Sequence, residues 1–320
     1  MIMSKPYWIG VDVGGTKILT GLFDSEFRLL SQVKHPTHPQ QGGVAVFERV
    51  VHSIDNVIHE ANIEFDRVKA VGLAIPGQIL PHTKTVRFAP NLGWRDFDLT
   101  PLFPKTWKFD VFLENDVRMG TYGEWVFGAA HGANHVLGIF MGTGIGGGLI
   151  LNSKLYNGFN GHAGEIGHIV LDWKKSHSLE KLAGRKELMK RIKRKLAKAP
   201  KKIRKEWRDI DVENVKSSLL SELYLENEPL VVEAIGRSAL VMGSAIGSMV
   251  NLLSPEVIVL GGGVVNALGD PFVEHIWEIA QTHILPRAIE NVRCVKASLG
   301  DNSGIFGAAG FASHSLKEIV

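Results

Sequence analysis

The chain has 320 residues, 45% of them hydrophobic, a net charge of +3 and one cysteine, Cys294. That length exceeds one ordinary core and predicts two lobes. No run reaches the roughly 18 uninterrupted apolar residues of a membrane span, and a single cysteine excludes internal disulfides and cysteine-rich metal sites, which fits a reducing, cytoplasmic home.

Trp8 to Val13 reads as an apolar strand that runs into Asp12-Val13-Gly14-Gly15-Thr16-Lys17, with Ile18 to Phe23 as its hairpin partner. Entry into a strand at Trp8 predicts neither a signal peptide nor a preceding DNA-reading module. Val44 to Asn62 places Phe47, Val50, Val51, Ile54, Val57, Ile58 and Ala61 at helix spacing. Val68 to Ile75 is a strand closed by Pro76-Gly77, and Asn91 falls in a loop. Val111 to Leu113 is a short strand ending in Glu114-Asn115-Asp116, before a helix over Val117 to Gly128. Polar residues at a strand's C-terminal end, just ahead of a helix, stand where open α/β sheets bind ligands.

The densest stretch is Val136 to His168, with ten of the 35 glycines in 33 residues. A strand over Val136 to Met141 breaks at Gly142-Thr143-Gly144-Ile145-Gly146-Gly147-Gly148, and Leu149 to Leu151 resumes. Backbone N–H groups of such a turn form a nest for phosphate oxygens, although a ligand-free hairpin uses glycines in the same way. Glu165, Gly167 and His168 follow, a carboxylate and an imidazole able to hydrogen-bond a polyhydroxylated ligand. Ile169 to Leu171 is strand-like, and Ser176 to Glu180 reads as a polar loop. From Lys181 to Arg208, 14 Lys and Arg face two Glu, a local +12 that leaves −9 on the remainder. Lys186 to Lys198 there is an amphipathic helix. Pro229 to Leu253 is a long helix with small residues for close packing. Val257 to Leu260 is a buried strand feeding Gly261-Gly262-Gly263, Val292 to Ala297 is the last strand, and Gly300 to Gly304 turns into a C-terminal helix.

Asp12-Val13-Gly14-Gly15-Thr16-Lys17, Gly142 to Gly148, Glu165-Ile166-Gly167-His168 and Leu260-Gly261-Gly262-Gly263-Val264, with Glu114-Asn115-Asp116 between them, stand in the order of the ROK family. From Trp8 to about Ala312 the chain resembles this family of sugar kinases and sugar-responsive repressors. The resemblance implies an α/β, two-lobed, actin-like ATPase (ribonuclease H-like) fold, with mixed sheets flanked by helices. The small lobe would span 1–116 and about 298–320, the large lobe 117–297. It implies that Asp12 holds Mg²⁺ through water, that Gly14, Gly15, Thr16 and Lys17 form a first phosphate loop, and that Thr143 and Gly144 form a second. Gly261, Gly262 and Gly263 would lie against the nucleoside of ATP. Asn91, Asn115, Asp116, Glu165, His168 and Glu180 match the sugar-binding set, and Asp116 the catalytic base. A homodimer is expected.

Phosphoryl transfer needs positioning and charge neutralisation more than covalent help, and a carboxylate can accept the proton of an attacking hydroxyl where an amide cannot. The alternative for Asp116 is that it caps the following helix. Relatives with a structural zinc add three cysteines to His168; this sequence has none there, so no zinc site is expected. The leading expectation is ATP-dependent phosphorylation of a hexose, glucose first. N-acetylglucosamine, N-acetylmannosamine or mannose are alternative substrates, and polyphosphate an alternative donor. A sugar-sensing regulator would need a DNA-reading module, and a chaperone or cytoskeletal ATPase would not need Glu165 and His168. The basic segment 181–208 reads first as a solvated or subunit-contact face.

Overall fold

The structure is a computed structural model and describes residues 5–80, 83–208, 210–212 and 215–319. Positions 1–4 and 320 of the expected small lobe, and the side chains of Lys202, Arg204 and Glu206 in the basic segment, lie outside the described residues.

From the N-terminus the elements are β1 (Tyr7–Val13), β2 (Lys17–Phe23), β3 (Leu29–Pro36), α1 (Gly43–Glu60), β4 (Val68–Ile75), β5 (Gln78–Leu80), β6 (Thr85–Ala89), β7 (Trp94–Asp98), β8 (Asp110–Asn115) and α2 (Asp116–Val126). There follow β9 (Val136–Met141), β10 (Ile145–Leu151), β11 (Lys154–Leu155), β12 (Val170–Asp172), β13 (His177–Ser178), α3 (Leu179–Ala183), α4 (Arg185–Lys198), α5 (Lys201–Glu206) and α6 (Ser217–Leu225). The chain ends with α7 (Pro229–Leu253), β14 (Val257–Gly261), α8 (Gly263–Leu268), α9 (Asp270–Gln281), β15 (Arg293–Lys296) and α10 (Ser303–Ile319).

Two compact units result. One is Met1–Gly132 with Gly148–Gly164 and Asp301–Val320; the other is Ala133–Gly147 with Glu165–Gly300. The sequence reading changes lobe after Asp116, whereas α2 stays in the first unit. The reason is backbone packing: α2 runs so close to α10 that a Cβ at Gly307 would fall 1.8 Å from the Met119 carbonyl oxygen.

In the first unit the sheet order is β3-β2-β1-β4-β8. β1, β2 and β3 are antiparallel neighbours, while β4 and β8 run parallel to β1. The two-residue alternation of a strand sends Ile9, Val11 and Val13 into the core cluster shared with α1, where Val46, Phe47, Val50, Ile54 and Val57 supply the helical stripe. Each such side chain contributes about 1.5–3 kcal/mol on burial. Trp8, Gly10 and Asp12 take the opposite face, toward α10. Gly10 must be glycine, since a Cβ there would lie 1.9 Å from the Ile305 carbonyl oxygen. The same parity carries Asp12 to the start of α10. The antiparallel ribbon β5-β6-β7 is a separate sheet and adds Ile79, Val86 and Trp94 to the core.

In the second unit β9 and β15 flank β14, both parallel to it. α7 packs against α3, α4 and α9. It is long and apolar enough by length and composition to cross a membrane, and most of it is buried inside the protein. Pro229 at its first turn and the left-handed Ser254 before Pro255 fix its ends. The segment expected as a polar loop over Ser176 to Glu180 instead holds β13 and the start of α3.

Candidate active site

In the first unit, β1 delivers Asp12 to a turn closed by the Gly14 N–H donating to the Lys17 carbonyl at 2.8 Å. Thr37 Oγ1 donates to the Gly14 carbonyl at 2.7 Å and pins the turn to the end of β3. Gly15 faces Asn91: a Cβ on Gly15 would be 3.4 Å from Asn91 Cβ. Thr16 and Asn91 are exposed, and Lys17 pairs with Asp301 at 2.6 Å. Enclosure raises the Asp12 carboxyl to a pKa of about 7; repulsion from Asp116 and, further down, from Asp301 adds to this, and Lys17 opposes it. This is a place with surplus negative charge. Among the described residues no group of three or more His, Cys, Asp or Glu is set to hold a metal ion. Two carboxylates nonetheless fit Mg²⁺, which typically takes one or two carboxylates and completes its shell with water and substrate phosphates.

At the junction of β8 and α2, the helix cap is Asn115. Its Oδ1 accepts from the N–H groups of Val117 (3.0 Å) and Arg118 (3.1 Å), and its Nδ2 donates to the Gly77 carbonyl at 3.0 Å. Asp116 is the first helical residue, half-buried, with Oδ1 accepting from Val117 N at 2.9 Å. Cap duty, the alternative for Asp116, therefore falls to its neighbour. Beside them lies a polar triangle in which Glu114 and Arg118 are buried and Asn157 is half-buried. Arg118 Nε is 3.4 Å from Glu114 Oε1, Arg118 donates to Asn157 Oδ1 at 3.3 Å, and Asn157 Nδ2 donates to Glu114 Oε2 at 2.8 Å. The Asn115 N–H also donates to Glu114 Oε1 at 2.7 Å, which ties the triangle to the cap.

In the second unit, Gly142-Thr143-Gly144 turns β9 into β10, with the Gly142 N–H donating to the Gly144 carbonyl at 2.9 Å. Thr143 is exposed. Glu180 lies directly on this turn: its Oε2 accepts from Ile145 N at 2.9 Å, and a Cβ on Gly144 would come within 2.1 Å of that oxygen. Local hydrogen bonding places Glu180. β12 pairs with β13, Leu179 N–H donates to the Ile169 carbonyl at 2.8 Å, and Ser178 Oγ caps α3. Asp172 Oδ1 accepts from the N–H groups of Lys174 and Lys175 and closes the hairpin turn. Glu165 and His168 bracket a 3-10 turn and are both exposed, while Ile166 between them is buried. Gly261 ends β14, Gly262 has φ +87°, and a Cβ on it would lie 2.6 Å from the Met141 carbonyl oxygen; Gly263 then opens α8.

Each unit thus gathers its own part of the expected set: Asp12, Gly14, Gly15, Thr16, Lys17, Asn91, Asn115 and Asp116 in the first, Thr143, Gly144, Glu165, His168, Glu180 and Gly261 to Gly263 in the second. The sequence reading missed Asp301 and Gly304 beside Asp12. A Cβ on Gly304 would be 3.0 Å from Asp12 Oδ2. It also missed Arg118, whose spacing of four from Glu114 was the available signal.

The ROK family model matches residues 8–315. The glucokinase of Halalkalibacterium halodurans is 29% identical over 95% of this chain and 94% of its own length. The crystal structure of a ROK family glucokinase from Streptomyces griseus in complex with glucose and AMPPNP superimposes with a TM-score of 0.84 at 28% identity, covering 96% of this chain and 99% of that one. The ROK hexokinase of Thermus thermophilus gives a TM-score of 0.79 at 30% identity, covering 98% and 99%.

Proposed function

The chain belongs to the ROK family, with the actin-like ATPase α/β fold, and we propose that it is a glucokinase that transfers the γ-phosphoryl group of ATP to the exocyclic hydroxyl of glucose. The likeness to glucokinases along nearly the whole chain supports sugar kinase activity. One observation carries the mechanism. Asn115 caps α2, so Asp116 stands at a strand end as a carboxylate that the helix does not need for capping. Asp116 accepts the sugar proton as the oxygen–phosphorus bond develops. The N–H groups around Gly14 to Lys17 and around Thr143 and Gly144 take phosphate oxygens, and Gly261 to Gly263 give the nucleoside a surface without side chains. Asp12, where negative charge is in surplus, would hold Mg²⁺ through water; the ion supplies neutralisation of phosphate charge when bound. Asn91, Asn115, Glu165, His168 and Glu180 are the sugar contacts in this reading. Asn115 retains one N–H, and Glu180 retains Oε1, beyond the bonds described above.

A coupled assay with ATP and a panel of glucose, mannose, N-acetylglucosamine and N-acetylmannosamine tests the reading. Glucose should give the highest kcat/KM. A preference of tenfold or more for an N-acetylated sugar would reassign the substrate, and no turnover with any of them would remove the kinase mechanism.

Glu165→Gln and His168→Ala should each weaken glucose binding. A hydrogen bond is worth about 0.5–1.5 kcal/mol in general and about 1.5–3 kcal/mol to a charged group such as the Glu165 carboxylate, so Kd should rise by roughly tenfold or more in Glu165→Gln and by at least about twofold in His168→Ala. Both side chains are exposed, so stability should hold. Unchanged glucose Kd in both variants, measured by calorimetry, would take these residues out of the sugar site.

A further inference from the structure

In the second unit, helices α4 and α7 enclose a groove of about 430 Å³, within the size range of small-molecule sites. None of the residues lining it belongs to the set assigned to phosphoryl transfer. Its polar lining is Arg191, Arg194 and Lys195 from α4, and Glu233 and Arg237 from α7. Four cations therefore meet one carboxylate, and Lys195 already pairs with that carboxylate.

The arginines differ in how they are held. Arg191 is built in: its side chain is 13% exposed, its Nε lies 3.8 Å from Glu187, one terminal nitrogen donates to Ser238 Oγ at 3.4 Å, and the other donates to the Leu182 carbonyl. Its pKa is lowered, chiefly by enclosure and further by the neighbouring Arg237 and Arg194, against the pull of Glu187. Arg194 and Arg237 are exposed and, among the described residues, have neither a hydrogen-bond nor an ion-pair partner. On α7, Gly236 leaves its side of the groove unobstructed, since a Cβ there would meet nothing nearer than 4.0 Å.

Like charges converging on one concavity cost Coulomb energy in the empty groove, and a bound anion reverses the sign of that interaction. Guanidinium forks suit phosphate oxygens in particular. We propose that the α4–α7 groove is a binding site for a small anion carrying two or more phosphate groups, held by Arg194 and Arg237 with Arg191 as the fixed floor. The volume admits a short oligophosphate or a bisphosphorylated sugar, and both present the same chemistry to the arginines.

The test is calorimetric titration of the full chain, in metal-free buffer, with inorganic tripolyphosphate and separately with fructose 1,6-bisphosphate. Two variants of equal charge change are compared: Arg194→Gln/Arg237→Gln in the groove, and Lys186→Gln/Lys190→Gln on α4 outside it. All four positions are exposed, and thermal unfolding checks that the fold is retained. At least one probe should bind the wild type. The groove pair should weaken that binding by roughly 100-fold, about tenfold per arginine, and the control pair by less than about threefold. The probe that binds more tightly identifies the ligand's source. Equal weakening by both pairs would mean a diffuse basic face. That result, no binding of either probe, or unchanged binding in the groove pair would each overturn the proposal.

Discussion

Replacing Asp116 with Asn should lower kcat by about 10²–10⁴-fold, the loss typical when a general base is removed, while glucose affinity changes little. The substitution keeps size and one acceptor oxygen, so the bond from Val117 N to position 116 can persist. Stability should also hold. Asn115, not Asp116, caps α2, and the only helix term at stake is the charge–dipole interaction of a first-turn acid, about 0.3–1 kcal/mol. Removing the charge also relieves its repulsion with Asp12, which offsets part of that. Unfolding midpoint and kcat on the same preparation decide the matter. A folded Asp116→Asn protein with near-normal kcat would falsify the assignment of the base.

How far the sequence foretold this arrangement depends on the length of the signal. α7 is recovered residue for residue from Pro229 to Leu253, because a proline opens it and another follows it. β14 and the glycines after it were legible for a similar reason, an apolar run broken abruptly. β13 and α3 were not: at two and five residues they are too short for periodicity, and backbone pairing of β13 with β12 across an Asx turn creates them. α9 carries Phe272, Val273, Ile276 and Ala280 at helical spacing, a signal present in the chain but not singled out. The contact of Asp12 with Gly304, and the pairing of Lys17 with Asp301, join opposite ends of the sequence. Only the strand parity that turns Asp12 toward α10 brings them together, and no local pattern encodes which helix covers that face. The cap illustrates the same limit on a smaller scale. Asn and Asp cap about equally well, so an Asn-Asp pair at a strand end leaves the assignment open until Asn115 is seen to accept both N–H groups.

Arg118→Met should be the most destabilising change near the site. Arg118 and Glu114 are 2% and 1% exposed, and the arginine's second terminal nitrogen, Nη2, is buried with no hydrogen-bond partner among the described residues. The pair is thus already imperfectly satisfied, and removing one partner strands the other. Deleting one member of a buried ion pair costs about 3–5 kcal/mol, which for a unit of this size corresponds to roughly 6–20 °C in Tm. Glu114 would keep its bonds from Asn115 N and Asn157 Nδ2, but as a carboxylate without a counter-charge. Glu114→Gln/Arg118→Met removes that charge as well and should recover a large part of the loss, because replacing both members of a buried pair is often close to neutral. The triangle also holds the backbone on which Asn115 and Asp116 stand. The double variant, once folded, should therefore show a lower kcat with a smaller change in sugar Kd, as expected when a base is displaced and the binding wall is left in place. A midpoint for Arg118→Met within 2 °C of wild type, or no recovery in the double variant, would show that Glu114 and Arg118 do not act as a coupled pair and would withdraw their positioning role.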